Sequence, residues 1–360
     1  MLKKIKALII FRNVFGVSLN QIYPFRLLKN QLKKTLGFYF SERPVQTLTD
    51  VDIEEANSHD IVFIQLKIPP EHVGQLNEML AQISSRKVLL DDRDSSGQCS
   101  FSAVPLVNLY VKKQVLRDLK NYQTPYRDGR IHADFIGKSF SLSSADLPRV
   151  KITEDFEQKI FTGWNIGVSE RLRGRIPPNA DSLFAKKRTV DVCLRLSLRN
   201  DKDWCYVHRK KCFEEVQKLS ASMKVVVSQE NIPRPEYYEE LSQAKICPSP
   251  WGYGEVCYRD FEAILSGALL IKPSMEHLVT HPNIYIPYET YVPTKVDFSD
   301  LNDICRYYLL HENERERIAR NALRAYSDYF EKNIFLGQVR EMLSRTGFET
   351  EGLAQRDFNG

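Results

Sequence analysis

At 360 residues, with 42% hydrophobic and 27% charged side chains, the chain has an ordinary globular composition and exceeds the range of a single core, so two domains are expected. No apolar run approaches the roughly 20 residues that span a bilayer. Apolar residues 8–11, behind Lys3, Lys4 and Lys6, are too few for a secretory signal and are followed by no small-residue cleavage site, so they read as a first buried strand. The net charge of +5 is modest but uneven: Lys3, Lys4, Lys6, Arg12, Arg26, Lys29, Lys33 and Lys34 all precede the first acidic residue, Glu42. Such a basic face suits an anionic partner, either a membrane surface or an acidic acceptor.

In chain order, residues 5–11 read as a strand, 21–36 as a basic amphipathic helix, 60–66 as a strand and 71–84 as a helix. Strands at 87–90 and 106–111 follow, then a helix at 112–122. From 129 to 178 the pattern breaks at Gly137, Gly163, Gly167, Gly174, Pro177 and Pro178, as a linker region would. The alternation restarts with strands at 190–196, 223–227, 245–248 and 268–271 and helices at 203–219, 235–244 and 255–267. Residues 275–293 read as irregular. Helices close the chain at 300–311, 314–330 and 334–343, with a frayed tail. The expected fold class is α/β, divided as 1–160, a linker at 161–185, a second domain at 186–335, and a terminal helix and tail at 336–360.

Seven cysteines, odd in number and without a Cys-x-x-Cys pair, point to a reducing cytoplasm. No His/Cys cluster has zinc-ligand spacing, and no P-loop or G-x-S-x-G sequence occurs, so neither a metal nor an organic cofactor is expected. Nucleic-acid binding is disfavoured because the basic residues belong to no reading module.

The most informative segment is Ser249-Pro250-Trp251-Gly252-Tyr253-Gly254-Glu255 and the apolar-periodic run behind it. A strand, a Gly-rich turn and a helix start make an anion cradle, because unpaired backbone amides and the positive helix end face the loop. At about 100° per residue, Glu255, Arg259, Glu262 and Ser266 fall on one face, opposite Phe261, Ile264 and Leu265. A carboxylate there can accept both hydroxyls of a ribose while the arginine and loop amides hold phosphate oxygens. The plain alternative is an ordinary surface pair between Glu255 and Arg259, worth about 0.2–0.5 kcal/mol.

The run AKICPSPWGYGEVCYRDFEAILSGALLIKP, followed by PNIYIPYETYVPTKVDFSDL and ERIARNALRAYSDYF, resembles the C-terminal donor domain of bacterial glycosyltransferases of GT-B architecture, in the exostosin-like and glycogen-synthase-like groups. The resemblance covers about residues 223–329 and is architectural before that. It implies two Rossmann-like domains facing a central cleft, and transfer of a sugar from a nucleotide-sugar donor to a glycan or lipid-linked acceptor in cell-surface polysaccharide synthesis. The setting it implies is cytoplasmic, peripheral at the inner membrane face, and metal-independent. Glu262 would bind the donor ribose, Arg259 the phosphates, and Gly252, Tyr253 and Gly254 would form the loop beneath them. Arg195 and Arg199, with Arg209 and Lys210 as second choices, would neutralise the leaving diphosphate, and Lys272 would join the donor-binding set. Glu255 stands one residue closer to Glu262 than in members with two motif glutamates, so it does not indicate stereochemistry.

Asp92-Arg93-Asp94 is a literal Asp-x-Asp after a strand, read either as a turn cap, a divalent-metal motif of the GT-A kind, or a source of the acceptor's base. Asp94 and Asp92 are the candidate bases, and His132 is the other. Two further readings stay open: a nucleotide-sugar epimerase of the same architecture, and a non-catalytic sugar-nucleotide-binding assembly factor.

Overall fold

The computed structural model describes residues 3–12, 17–66, 69, 72–143, 152–198 and 203–349. Its first sheet contains β1 (Ile5–Arg12), β2 (Phe38–Val45), β3 (Ile61–Gln65), β4 (Arg86–Asp91), β5 (Leu109–Lys112) and β7 (Ile160–Thr162) in the order β2-β1-β3-β4-β5-β7, with every pairing parallel. All five residues of β3 are buried, as expected for a strand covered on both faces by helices. Alternate residues serve separate cores. Ala7, Ile9 and Phe63 pack with Phe25, Phe38 and Trp164 on one side, while Leu8, Ile10, Val62 and Ile64 meet Leu76, Met79 and Leu80 on the other.

The second sheet contains β8 (Val190–Arg195), β9 (Val225–Ser228), β10 (Ala244–Pro248), β11 (Leu269–Pro273) and β13 (Val292–Thr294), ordered β13-β11-β10-β8-β9 and again parallel. Two devices tie the sheets together. β6 (Gln114–Leu116), one residue beyond β5, pairs antiparallel with β12 (Leu278–Thr280), whose flanks belong to the second sheet. The terminal helix Ile334–Arg345 returns to the first domain, burying Phe335, Val339, Met342 and Leu343 against the same core as Ile9 and Trp164.

Several elements differ from the sequence expectation. The helix expected at 112–122 is replaced by β6 and a 3-10 turn at Leu119–Gln123, because Val115 and Leu116 find strand partners far along the chain in Val279 and Leu278. β2 had no counterpart in the reading, and β12 and β13 lie where irregular chain was expected. The single helix expected at 21–36 is two, Val17–Leu27 and Lys29–Leu36. The stretch read as a weak-pattern linker carries a helix at Ile131–Ser139 and the edge strand β7.

Candidate functional site

The C-terminal ends of β4 and β10 approach each other, and the Gly-rich loop fills the junction. Gly254 lies so close to the first domain that a Cβ on it would stand 2.1 Å from the Asp94 carbonyl oxygen, so only glycine fits. The loop closes on itself where Gly252 N donates to the Gly254 carbonyl at 3.1 Å. Tyr253 at its tip is exposed, with its carbonyl accepting from Arg130 Nε at 3.0 Å and its ring 6.0 Å from that of Trp204.

The helix behind the loop is Tyr258–Leu265, three residues shorter at its start than expected. Asp260 sets the start, because its Oδ2 accepts from the Cys257 amide at 2.9 Å. The same carboxylate accepts from Ser249 Oγ at 2.5 Å and Tyr285 Oη at 2.7 Å, and pairs with Lys272 Nζ at 3.2 Å. Both charged side chains are fully buried. Lys272, expected at the donor, is therefore committed to holding the loop and helix on β11, and its amine does not reach the cleft.

Arg259 and Glu262 do share an open face. They line a cavity of about 220 Å³ together with Arg195, Gln229, Asn231 and Tyr237. Among the described residues Glu262 is held only by long contacts, to Tyr237 Oη at 3.2 Å, Arg171 Nη2 at 3.3 Å and Tyr238 Oη at 3.4 Å. Arg259 donates Nη2 to the Arg195 carbonyl at 2.7 Å, while its Nε is buried without a hydrogen-bond partner among the described residues. Arg195 forks onto Glu240 at 2.5 and 2.7 Å and donates to the Glu230 carbonyl at 3.1 Å. The hydrogen bonds to Glu240, outweighing the effect of burial, raise the Arg195 pKa above its ordinary value. Arg199 lies outside the described residues.

Glu255 is not on this helix and does not share its face, a correction to the expected polar stripe. It precedes the N-cap, is fully buried, and points into the first domain. There it accepts from Ser96 Oγ at 2.6 Å and Ser96 N at 3.1 Å, with His132 Nδ1 at 3.2 Å and His277 Nε2 at 3.9 Å. Burial pushes its pKa up, but the two imidazoles outweigh that and hold it well below the usual carboxylate range. His132 is itself fully buried, 5.3 Å from the Trp204 ring and 5.7 Å from Trp251, with Nε2 at 3.2 Å from the Gly252 carbonyl. Glu255 and His132 thus clamp the loop from behind.

Across the junction, the register that sets Asp91 opposite Lys112 creates two adjacent buried ion pairs. Lys112 Nζ lies 3.0 Å from Asp91, and Lys113 Nζ lies 3.1 Å from Asp92. Asp92 also accepts from Gln65 Nε2 at 3.1 Å and is 1% exposed, which removes it from proton exchange with a ligand. Asp94 differs: its side chain is 44% exposed and stands 3.4 Å from Lys113. Sequence reasoning missed Arg171, Tyr237, Tyr238 and Ser96. Only the adjacent tyrosines behind Pro235 in the helix Arg234–Ser242 left a sequence trace.

Residues 202–331 match the family model described as glycosyl transferase-like. No curated protein matches the chain by sequence. Among solved structures, an alpha-glucosyltransferase in complex with UDP superposes with a TM-score of 0.55 and 8% identity, covering 95% of this chain and 100% of that one. A glycosyltransferase from Rickettsia africae gives 0.51 and 11%, covering 96% and 99%. A DNA-modifying beta-glucosyltransferase, solved with and without uridine diphosphoglucose, gives 0.50 and 13%, covering 95% and 100%. The chain has the GT-B architecture of two Rossmann-like domains, and the stretch that matches the family model lies in the second.

Proposed function

We propose that the chain transfers a sugar from a nucleotide-sugar donor to an acceptor hydroxyl at the junction of its two domains. The observation that carries this reading is the cavity lined by both the loosely held Glu262 and Arg259. Glu262 accepts the ribose hydroxyls, displacing its long contacts to Tyr237 and Tyr238. Arg259, Arg195 and the amides around Gly252, Tyr253 and Gly254 meet the diphosphate. The binding of UDP or uridine diphosphoglucose by two proteins of similar fold favours a uridine base, seated against Gln229 and Asn231.

In the reaction the acceptor oxygen forms a bond to the anomeric carbon, the bond from that carbon to the diphosphate breaks, and the nucleoside diphosphate leaves with the electron pair. Asp94 is the base that takes the acceptor proton if configuration inverts, since Asp92 and His132 are buried and engaged. The leaving charge falls on arginines and amides, so transfer proceeds without a divalent metal, and chelator-treated protein should retain its rate.

The acceptor in this reading is a glycan or lipid-linked sugar of cell-surface polysaccharide synthesis, met at the cytoplasmic face of a membrane. Leu32 and Leu36 are buried while Lys29 lies 5.1 Å over Phe40 and Lys33 and Lys4 lie 5.2 and 4.7 Å over Tyr39, which gathers the basic residues on one outer face. The test is a thermal-shift screen of nucleoside diphosphates followed by incubation with the matching nucleotide sugars. Transfer or slow donor hydrolysis supports the proposal. Sugar interconversion without an acceptor would mean an epimerase, and binding without turnover would mean an assembly factor.

A further inference from the structure

The second sheet has a charged feature at its other end, remote from the Gly-rich loop. Arg188 precedes β8 and Lys245 begins the sheet's central strand, so both stand where β8 and β10 start rather than where they meet the cleft. With Lys186, Lys187 and Arg315 they line a cavity of about 280 Å³, against only two acids, Glu312 and Glu316. Those acids are already used: Glu312 pairs with Arg315 at 2.6 Å, and Glu316 with Arg320 at 2.7 Å. Lys245 is matched by Asp191 at 2.8 Å. Among the described residues, Lys186, Lys187 and Arg188 form no ion pair, although the charge of Glu316 acts on Arg188.

Arg188 is anchored rather than mobile. Its Nη1 donates to the Ala244 carbonyl at 2.8 Å and the Ser242 carbonyl at 3.1 Å, and its Nη2 is buried with no hydrogen-bond partner among the described residues. Gly267, with φ of 71°, makes room for this group, since a Cβ there would lie 2.4 Å from Nη2. Burial, reinforced by the charge of Arg315, lowers the Arg188 pKa to about 10. The 20-residue helix Glu312–Glu331 begins at the same cavity and adds its positive end.

An adjoining cavity of about 470 Å³ shares Lys186 and adds Arg175, Arg234 and Ser266. Ser266 is 2% exposed and its hydroxyl has no hydrogen-bond partner among the described residues. Arg175 lies 3.4 Å over the ring of Tyr238, whose hydroxyl reaches Glu262.

We infer that these adjoining cavities form a binding site for a small phosphorylated anion, distinct from the nucleotide site and carried by Lys186, Lys187, Arg188 and Arg234. The ligand in this reading carries two phosphoryl groups, one at the Arg188 cavity and the other at the cavity of Arg234 and Ser266, with the shared Lys186 between them. The inference stands whether or not the chain transfers sugars. Because Arg175 and Tyr238 link the second cavity to Glu262, occupancy should also alter nucleotide affinity.

The experiment is calorimetric titration of the full chain with inorganic pyrophosphate in excess UDP, and co-sedimentation with vesicles containing phosphatidylglycerol. Lys186→Gln/Lys187→Gln is the variant of choice, because both side chains are exposed and the fold is not at risk. Pyrophosphate binding that weakens about tenfold in the variant and declines with salt supports a free phosphorylated ligand. Vesicle binding that falls in the variant, without pyrophosphate binding, assigns the site to a lipid headgroup. Absence of both, or binding the variant leaves unchanged, overturns the site.

Discussion

Glu255 and Glu262 belong to one loop and helix yet occupy opposite electrostatic settings. Glu255 is fully buried, bonded at 2.6 Å to Ser96 and flanked by two histidines from other segments. Glu262 borders a cavity and has only contacts of 3.2–3.4 Å. A carboxylate with short, buried partners positions the chain. One with long partners beside open space can exchange them for a ligand at small cost. The contrast gives Glu255 the joining of the domains and fits the role proposed for Glu262 in recognition.

The largest effect is expected behind both glutamates, where Asp260 and Lys272 are paired out of water. Lys272→Met leaves Asp260 uncompensated and should destabilise the protein by about 3–5 kcal/mol in denaturant unfolding, without a selective effect on nucleotide affinity. Gly254→Val, which drives a side chain into the Asp94 backbone, should cost about 1–3 kcal/mol and abolish transfer by forcing the loop out of the junction.

Glu255 makes the comparison sensitive to pH. Its folded pKa is depressed, so the unfolded chain takes up the proton first. Its stabilisation is complete above the unfolded value of about 4.3 and drains away as pH falls toward the folded one. Glu255→Gln should flatten that acid limb of the stability profile, measured by denaturation between about pH 3 and 6. An unchanged limb would mean that another carboxylate controls it. The smallest effect belongs to Lys29, Lys33 and Lys34: their replacement by glutamine should reduce binding to anionic vesicles at low salt and leave stability within about 0.5 kcal/mol. Native protein that ignores such vesicles would refute the membrane-surface reading.

What could be read from sequence follows from range. β1 and β3 are largely runs of Ile, Leu, Val and Phe buried on both faces, β4 and β8 hold shorter apolar cores, and such runs declare themselves locally. β6 and β12 are three residues each and exist because they pair with each other across the domains, which no local window contains. At the site, Glu262 and Arg259 were readable because helical periodicity holds from Tyr258 onward. Glu255 was misplaced because the same periodicity was extended back through a loop whose end is set by the Asp260 cap. Its partners Ser96, His132 and His277 come from three separate segments. Lys272 carried the right charge for a diphosphate, but its burial beside Asp260 depends on tertiary packing.

The central claim is that the cavity bordered by Glu262 and Arg259 holds the donor nucleotide, and titration calorimetry with UDP tests it most directly. Glu262→Ala should weaken UDP binding by about 1–3 kcal/mol with the melting temperature of the free protein nearly unchanged. Equal affinity in native and Glu262→Ala protein, both folded, would contradict the account.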